Sequence, residues 1–387
     1  MLTHSKKNIN YSRQSISDED KEAVLNILNS EFLTQGPLVP EFEKALIKVV
    51  GAKHGVAVNS ATSALHIACL ALGVGPGDRV WTSPNTFVAS ANCARFCGAD
   101  VDFVDIDGNT GNMSVAELEK KLVLAHKTST LPKIVIPVHF AGQPTNQERI
   151  WDLAQEYGFY VIEDASHSLG SRRRGNTVGS CVYSNITVFS FHPVKIITTG
   201  EGGMALTNDN KLSNRMLRLR SHGITRDPEE MVSKSRGPWY YEQLNLGFNY
   251  RMTDIQAALG ISQLNRLTRF VARRNELALR YDNALNKLGI NRLVVTEHNY
   301  SARHLYVIRV PANQHLRIFK ALQNEGIGVN LHYMPVHLQP YYRKLGFEEG
   351  DFPESEAHGR EAISLPLHPG LSEEEQQHII EILGNLI

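Results

Sequence analysis

The sequence predicts an α/β fold, with a mainly parallel seven-stranded sheet in a large unit and a smaller α+β unit after it. Three observations carry this. Seven short apolar runs alternate with helix-like patterns along the first half of the chain, and parallel strands need such crossover helices between them. The sixth and seventh runs, around Phe191 and Met204, lie too close together to enclose a helix, so an irregular or antiparallel element belongs there. Past Thr253 the pattern changes to a long helical stretch, then one strand and two more helices.

Taken in order, strands are expected over 54–59, 79–82, 100–105, 133–139, 160–163, 186–191 and 204–207. Helices are expected over 61–72, 88–96, 115–125, 145–157 and 211–221. The three arginines of Arg172-Arg173-Arg174-Gly175-Asn176 read as a hairpin tip, either solvated or touching a nucleotide. Residues 253–289 read as one long helix in which Arg266, Arg269, Arg273, Arg274 and Arg280 form a solvated face. A strand over 304–310 and a helix over 316–325, stopped by Gly326, come next. The last helix, 372–386, starts on Ser372 as cap with Glu375 in the capping-box position. The two units are expected at 1–265 and 266–387.

Composition narrows the function. The chain has 387 residues, 42% hydrophobic, with 40 Lys and Arg against 40 Asp and Glu. That balance gives no general attraction to nucleic acid or anionic membrane, so neither is expected as a partner. The first residues, Met1 to Tyr11, are polar and lack the apolar core of a signal peptide, and no run reaches the ~20 apolar residues of a membrane span. A cytoplasmic location is expected. The four cysteines, Cys69, Cys93, Cys97 and Cys181, form no Cys-x-x-Cys pair and read as small buried side chains, so no metal is expected.

Ligands of an open parallel sheet bind beyond the carboxyl ends of its strands. Three groups fall there. Asp164 ends the run Tyr160-Val161-Ile162-Glu163-Asp164, and Lys195 follows the strand that ends near Phe191. A third strand runs through Asn59 into the helix that begins Ser60-Ala61-Thr62-Ser63. Its free amides and hydroxyls make an anion seat, although an ordinary helix cap has the same appearance. A lysine amine to form a Schiff base, an acid to pair with a pyridine nitrogen and a phosphate seat are the parts that hold pyridoxal 5'-phosphate. Phe87 is placed to stack on the ring. Ser190 is placed to reach the phosphate and His167 the ring hydroxyl. His192 either shapes the lysine turn or touches ligand.

The run 190–203, with Ser190-Phe191-His192-Pro193-Val194-Lys195 and Thr199-Gly200-Glu201-Gly202-Gly203, resembles the lysine motif of the DegT/StrS sugar-nucleotide aminotransferases, fold-type I pyridoxal-phosphate enzymes. Glu163-Asp164-Ala165-Ser166-His167 resembles their ring-nitrogen motif, and Asn59-Ser60-Ala61-Thr62-Ser63 their phosphate loop. Arg220-Ser221-His222-Gly223 and Gly247-Phe248-Asn249-Tyr250-Arg251-Met252 are two further signatures. The resemblance covers nearly the whole chain. It implies a homodimer with shared active sites, in which Asn249 reaches the neighbouring subunit's phosphate. It places Thr34, Gln35 and Gly36 near a sugar-nucleotide pyrophosphate, and Arg251 and His332 along the substrate cleft.

Within the family the nearest likeness is to the enzymes of pseudaminic acid biosynthesis, through Leu33-Thr34-Gln35-Gly36, the lysine run, and His332-Tyr333 with Pro335. The implied reaction moves an amino group from L-glutamate to C4 of a UDP-4-keto-6-deoxy-N-acetylhexosamine. A different NDP-4-keto sugar, such as the D-xylo ketone, stays open, as does a cofactor-binding regulatory protein without turnover. Dehydratases on this fold carry histidine at the lysine position, against Lys195. A nicotinamide enzyme lacks support because no Gly-x-Gly-x-x-Gly follows the first strand.

Overall fold

The computed structural model describes residues 8–387, so the first seven residues of the polar N-terminal stretch lie outside it. Two helices not separated out in the sequence come before the sheet, α1 (Asp18–Leu28) and α2 (Leu38–Val50). A capping box opens α1: Ser17 Oγ accepts from the Asp20 amide while the Asp20 carboxylate accepts from the Ser17 amide. On α2, Phe42 and Leu46 are fully buried.

The chain then alternates as expected through β1 (His54–Val58), α3 (Ala61–Ala71), β2 (Arg79–Thr82), α4 (Ala89–Phe96), β3 (Asp100–Phe103), α5 (Val115–Lys127), β4 (Ile134–Ile136), α6 (Gln147–Tyr157) and β5 (Tyr160–Asp164). The hairpin β6 (Arg172–Arg173) and β7 (Asn176–Thr177) follows, and then β8 (Ile186–Ser190) and β9 (Gly203–Thr207). The hairpin tip holds Arg174 and Gly175 at φ 46° and 83°, the positive pair that a two-residue turn requires.

Seven strands assemble in the order β1-β9-β8-β5-β4-β2-β3. Only β9 runs against its neighbours, pairing antiparallel with both β1 and β8; the remaining pairs are parallel. Helices cover both faces, which is why the strands read as continuous apolar runs. Val188 packs into the core under α3 and α4, and Phe189, one residue on, into the core under α2. Each such buried Phe or Val contributes about 1.5–3 kcal/mol. All four cysteines are buried.

After the sheet come α7 (Asn210–Arg220), the hairpin β10 (Ile224–Thr225) and β11 (Glu242–Gln243), α8 (Asp254–Leu264) and α9 (Leu267–Lys287). The remainder is β12 (Asn291–Arg292), β13 (Asn299–Tyr300), β14 (Tyr306–Arg309), α10 (Ala312–Asn324), α11 (Pro340–Arg343), α12 (Pro353–Glu361), β15 (Ala362–Leu365) and α13 (Glu373–Leu386). A second sheet, β12-β14-β15, is antiparallel. The capping box of Ser372 and Glu375 opens α13 as expected. α10 begins a turn earlier than its apolar period suggested, directly after Pro311. Among the described residues no helix is long and apolar enough to cross a membrane.

Two expectations need correction. The stretch 253–289 is not one helix; it breaks at Asn265 and Arg266, between α8 and α9. The break has a tertiary cause: the Arg266 guanidinium turns to the buried Asp20 carboxylate at the start of α1. Nor do the arginines form one solvated face. Arg274 is buried at 1% exposure and donates to the carbonyls of Arg303, His304 and Leu367. Burial lowers its pKa to about 10, so it stays charged at neutral pH. Along α9 the core changes hands: Leu267, Phe270 and Val271 pack under the large sheet, while Leu277, Tyr281 and Leu285 pack with β14, α10 and α13.

Asp20 accepts from Ser262 Oγ at 2.7 Å and Gln263 Nε2 at 2.7 Å as well as from Arg266. Burial alone would raise its pKa; the bonds from Ser17, Ser262 and Gln263 and the charge of Arg266 outweigh burial and hold it below the usual value. Asp20→Ala is therefore expected to lower the unfolding free energy by on the order of 3 kcal/mol, read from urea denaturation. In the wild type this contribution is complete above the unfolded carboxylate pKa of ~3.9 and fades as pH falls through the lower folded value. An Asp20→Ala protein with an unchanged urea midpoint would contradict the assignment.

Candidate active site

The carboxyl ends of β1, β2, β5 and β8 open on a cavity of about 800 Å³. Gly203, the first residue of β9, pairs with Val58 on one side and Ser190 on the other. A Cβ on Gly203 would come within 2.5 Å of the Ala61 nitrogen, so only glycine lets β9 approach the first turn of α3 this closely.

The phosphate-seat reading rests on that turn. Ser60 caps α3 with its Oγ accepting from the Ser63 amide at 3.1 Å. Ser63 Oγ in turn donates to Asn59 Oδ1 at 2.7 Å. The first-turn amides of Ala61 and Thr62 have no helical partner and face an anion site with the positive end of the helix dipole.

Lys195 lies in the excursion 191–202 between β8 and β9. Its amide donates to the His192 carbonyl at 2.9 Å, closing a turn with Pro193 in the second position, where the ring's fixed φ suits it. The base of the excursion is tied by Thr199 N and Thr198 Oγ1, both donating to the Phe191 carbonyl. The His192 backbone thus shapes the lysine turn, and its half-exposed side chain lines the cavity as well. Burial pushes the Lys195 amine down to about 8, against the opposing pull of the Asp164 charge.

Asp164 is the last residue of β5. Its Oδ1 accepts from Ser166 Oγ at 2.6 Å and from the Ser166 amide at 3.1 Å; its Oδ2 accepts from Ser90 Oγ at 2.6 Å. His167 lies 3.2 Å by its Nε2 from the Tyr333 hydroxyl, while its Nδ1 is buried without a protein partner. Burial, then the charge of Lys195, keeps the His167 pKa well below its usual range. Burial also lowers His332 to about 3 and holds the Tyr333 phenol protonated. At neutral pH these rings are therefore uncharged.

Ser60, Ala61, Thr62, Phe87, Asp164, His167, Ser190, Lys195 and His332 all border the one cavity. Thr34, Gln35, Gly36, Asn249 and Arg251 do not border it within a single chain. The Gly36 amide is held by Asp254 at the start of α8, and Thr34 bridges to Thr253. Asn249 is exposed and pairs with Ser221, and Arg251 bridges to Val58. Several lining residues were given no role by sequence reasoning: Tyr11, Thr86 and Asn330, and also Ser166, Glu201 and Tyr333, which stood inside quoted motifs. Ser166 stood in the same motif as Asp164 and could have been found there. Tyr11 and Asn330 come from segments far in sequence from Asp164 and Lys195 and left no local signal.

The donor set fits pyridoxal phosphate: an amine near neutrality, a carboxylate across the cavity, an amide-lined anion seat and an orphaned imidazole nitrogen. Comparison with known proteins agrees. The model of the DegT/DnrJ/EryC1/StrS aminotransferase family matches residues 14–384. Spore coat polysaccharide biosynthesis protein SpsC of Bacillus subtilis is 39% identical over 384 residues, 97% of this chain and 96% of that one. The UDP-4-amino-4,6-dideoxy-N-acetyl-beta-L-altrosamine transaminase of Campylobacter jejuni is 37% identical over 383 residues, 98% of this chain and 97% of that one. Among solved structures, Helicobacter pylori PseC, an aminotransferase involved in the biosynthesis of pseudoaminic acid, superposes with a TM-score of 0.89 at 32% identity, over 98% of this chain and 99% of that one. The putative sugar aminotransferase Spr1654 of Streptococcus pneumoniae, in its PLP-form, superposes with a TM-score of 0.88 at 31% identity, over 98% of both chains.

The lowered Lys195 pKa predicts how the ligand-free chain reacts. The neutral fraction of this amine rises with pH and is half-maximal near 8, whereas surface lysines reach that point near ~10.4. Trace acetylation followed by peptide mass spectrometry is expected to give Lys195 a labelling midpoint near 8. A midpoint with the surface lysines would overturn the burial argument.

Proposed function

Because this chain belongs to the DegT/DnrJ/EryC1/StrS aminotransferase family, we propose that it is a pyridoxal-phosphate-dependent enzyme moving an amino group from L-glutamate to C4 of a UDP-linked 4-keto-6-deoxy-N-acetylhexosamine. The observation that carries the reading is the convergence of Lys195, Asp164 and the Ser60 turn on one cavity. The product we favour is UDP-4-amino-4,6-dideoxy-N-acetyl-beta-L-altrosamine. That choice is supported by the Campylobacter jejuni and Helicobacter pylori relatives and by the loop 33–36, the lysine run and His332. The likeness to a spore coat polysaccharide protein keeps a second reading in play, a 4-aminotransferase for a different NDP-4-keto sugar.

When bound, pyridoxal phosphate supplies an electron sink next to the carbon that exchanges its proton, and it carries the amino group between the two substrates. The chain's residues do the rest. Lys195 holds the cofactor and, once displaced by the incoming amine, takes and returns the proton as general base and acid, a task suited to an amine titrating near 8. Asp164 accepts a hydrogen bond from the ring N–H and stabilises its positive charge. Ser60, Ala61, Thr62 and Ser190 hold the phosphate. Phe87, at the open side of the cavity and 58% exposed, covers a ring face. His167 bonds the ring hydroxyl. Thr34, Gln35, Gly36, Arg251 and His332 contact the sugar nucleotide.

The assembly we propose is a homodimer with Asn249 of each chain completing the partner's phosphate seat. Its support is the position of Asn249 on a segment that leaves Val232, Trp239 and Leu246 at 87%, 75% and 81% exposure, a surface that a second copy would cover.

Lys195→Ala is expected to abolish multiple turnover. It should also lose the borohydride-fixed cofactor mass on the peptide that carries residue 195. Turnover surviving in this variant would overturn the role. Mixing inactive Lys195→Ala with inactive Asn249→Ala should regenerate activity, since each hybrid dimer would hold one intact site, about a quarter of all sites in a fully exchanged 1:1 mixture; confirmed exchange without recovery would exclude sharing. The substrate is tested by direct competition between the L-arabino and D-xylo UDP-4-keto epimers with glutamate as donor, products resolved by NMR. The L-arabino ketone should win by on the order of 10²-fold, because ~1 Å of misplacement at C4 costs that much. Faster transfer to the D-xylo ketone would move the enzyme to the second reading.

A further inference from the structure

Ser90 lies outside every motif used above, yet it is fully buried and touches the carboxylate on which the chemistry depends. It stands in the first turn of α4, with its Oγ 2.6 Å from Asp164 Oδ2 and 2.7 Å from Thr86 Oγ1. The direction of both bonds follows from proton count. A carboxylate only accepts, so the single hydroxyl proton of Ser90 goes to Asp164. Thr86 must then be the donor to Ser90. The chain runs one way, Thr86 to Ser90 to Asp164, and such a relay polarises each bond in turn.

The opposite oxygen, Oδ1, is held by the hydroxyl and amide of Ser166. Torsion about the last side-chain bond of an aspartate is broad. A bond to one oxygen therefore leaves the carboxylate plane free to swing, and a bond to each oxygen fixes it. Ser90 is itself anchored: its amide donates to the Phe87 carbonyl at 3.2 Å and its carbonyl accepts from Cys93 Sγ at 3.2 Å. The segment that carries the proposed ring-stacking Phe87 thus also carries the second clamp on Asp164.

We infer that Ser90, with Thr86 behind it, is a positioning residue that aims the Asp164 carboxylate at the ring nitrogen of the cofactor. The inference rests on the reading of Asp164 as the ring-nitrogen partner. It belongs to that reaction but names a residue the sequence motifs do not contain.

The test compares the full-length apoprotein's affinity for pyridoxal phosphate with its affinity for the 1-deaza analogue, in which the ring nitrogen is a carbon. Ser90→Ala should weaken pyridoxal phosphate about tenfold, equivalent to about 1.4 kcal/mol, and leave the analogue within about twofold. Ser90→Thr, which keeps a hydroxyl, should restore the discrimination. Thr86→Val should lower it by a smaller factor. Sugar KM should stay constant in Ser90→Ala while kcat falls. Equal weakening of both ligands, or no weakening of either, overturns the inference, since a merely structural serine would not tell nitrogen from carbon. Asp164→Asn separates the two levels. If Asp164→Asn weakens pyridoxal phosphate but not the analogue while Ser90→Ala leaves both affinities in step, Ser90 alone is misassigned. If Asp164→Asn weakens both ligands equally or neither, the ring-nitrogen reading falls and the Ser90 inference with it.

Discussion

The site depends on one line of backbone pairing. Gly203 lies between Val58 and Ser190, so the ends of β1 and β8 are held on either side of a single residue. With strands ~4.8 Å apart, two neighbouring steps bring the Ser60 turn and the lysine excursion within the reach of one small molecule. The antiparallel entry of β9 makes this possible. A parallel strand there would need a crossover helix, and the twelve residues between β8 and β9 would be spent on packing instead of on presenting Lys195. The glycine is required because the first turn of α3 leaves no room for a side chain.

Much of this was legible in the sequence for a physical reason. Residues at strand ends in a doubly covered sheet follow unbroken apolar runs, so Ser60, Asp164 and Lys195 could be located by counting along the chain. The closeness of the runs at Phe191 and Met204 left room only for an irregular or antiparallel element, and the antiparallel one forms. What escaped was tertiary. The periodicity of 253–289 is helical throughout, and only the Asp20 carboxylate, far away in sequence, explains the break at Arg266. Arg274 carries a charge and reads as surface, yet it satisfies loop carbonyls in the interior. Ser90 looks like any small helical residue until Asp164 is set beside it.

Besides Asp164, Glu201 and Lys195, the cavity is lined by imidazoles, hydroxyls, amides and apolar side chains. His167, His332 and His304, whose ring lies 4.3 Å from that of His167, are all held neutral, chiefly by burial. Neutral imidazoles accept or donate hydrogen bonds without competing for the anion seat or repelling a cationic amine. The Lys195 amine titrates near neutral pH, set by burial on one side and by Asp164 on the other. An apolar interior around the pair strengthens their interaction, since fewer water dipoles screen it.

The bond between Asp20 and Arg266 spans 246 residues. During synthesis α1 emerges well before the arginine that neutralises its buried carboxylate, which, together with Ser262 and Gln263, emerges only when α8 and α9 do. At ~5–20 residues per second the first helix waits about 12–50 s for its docking partner. For that interval the large sheet can assemble without it, because β1 through β9 all precede Arg266. The order of translation thus makes α1 a clasp that can close over the α8–α9 junction only once that junction has left the ribosome.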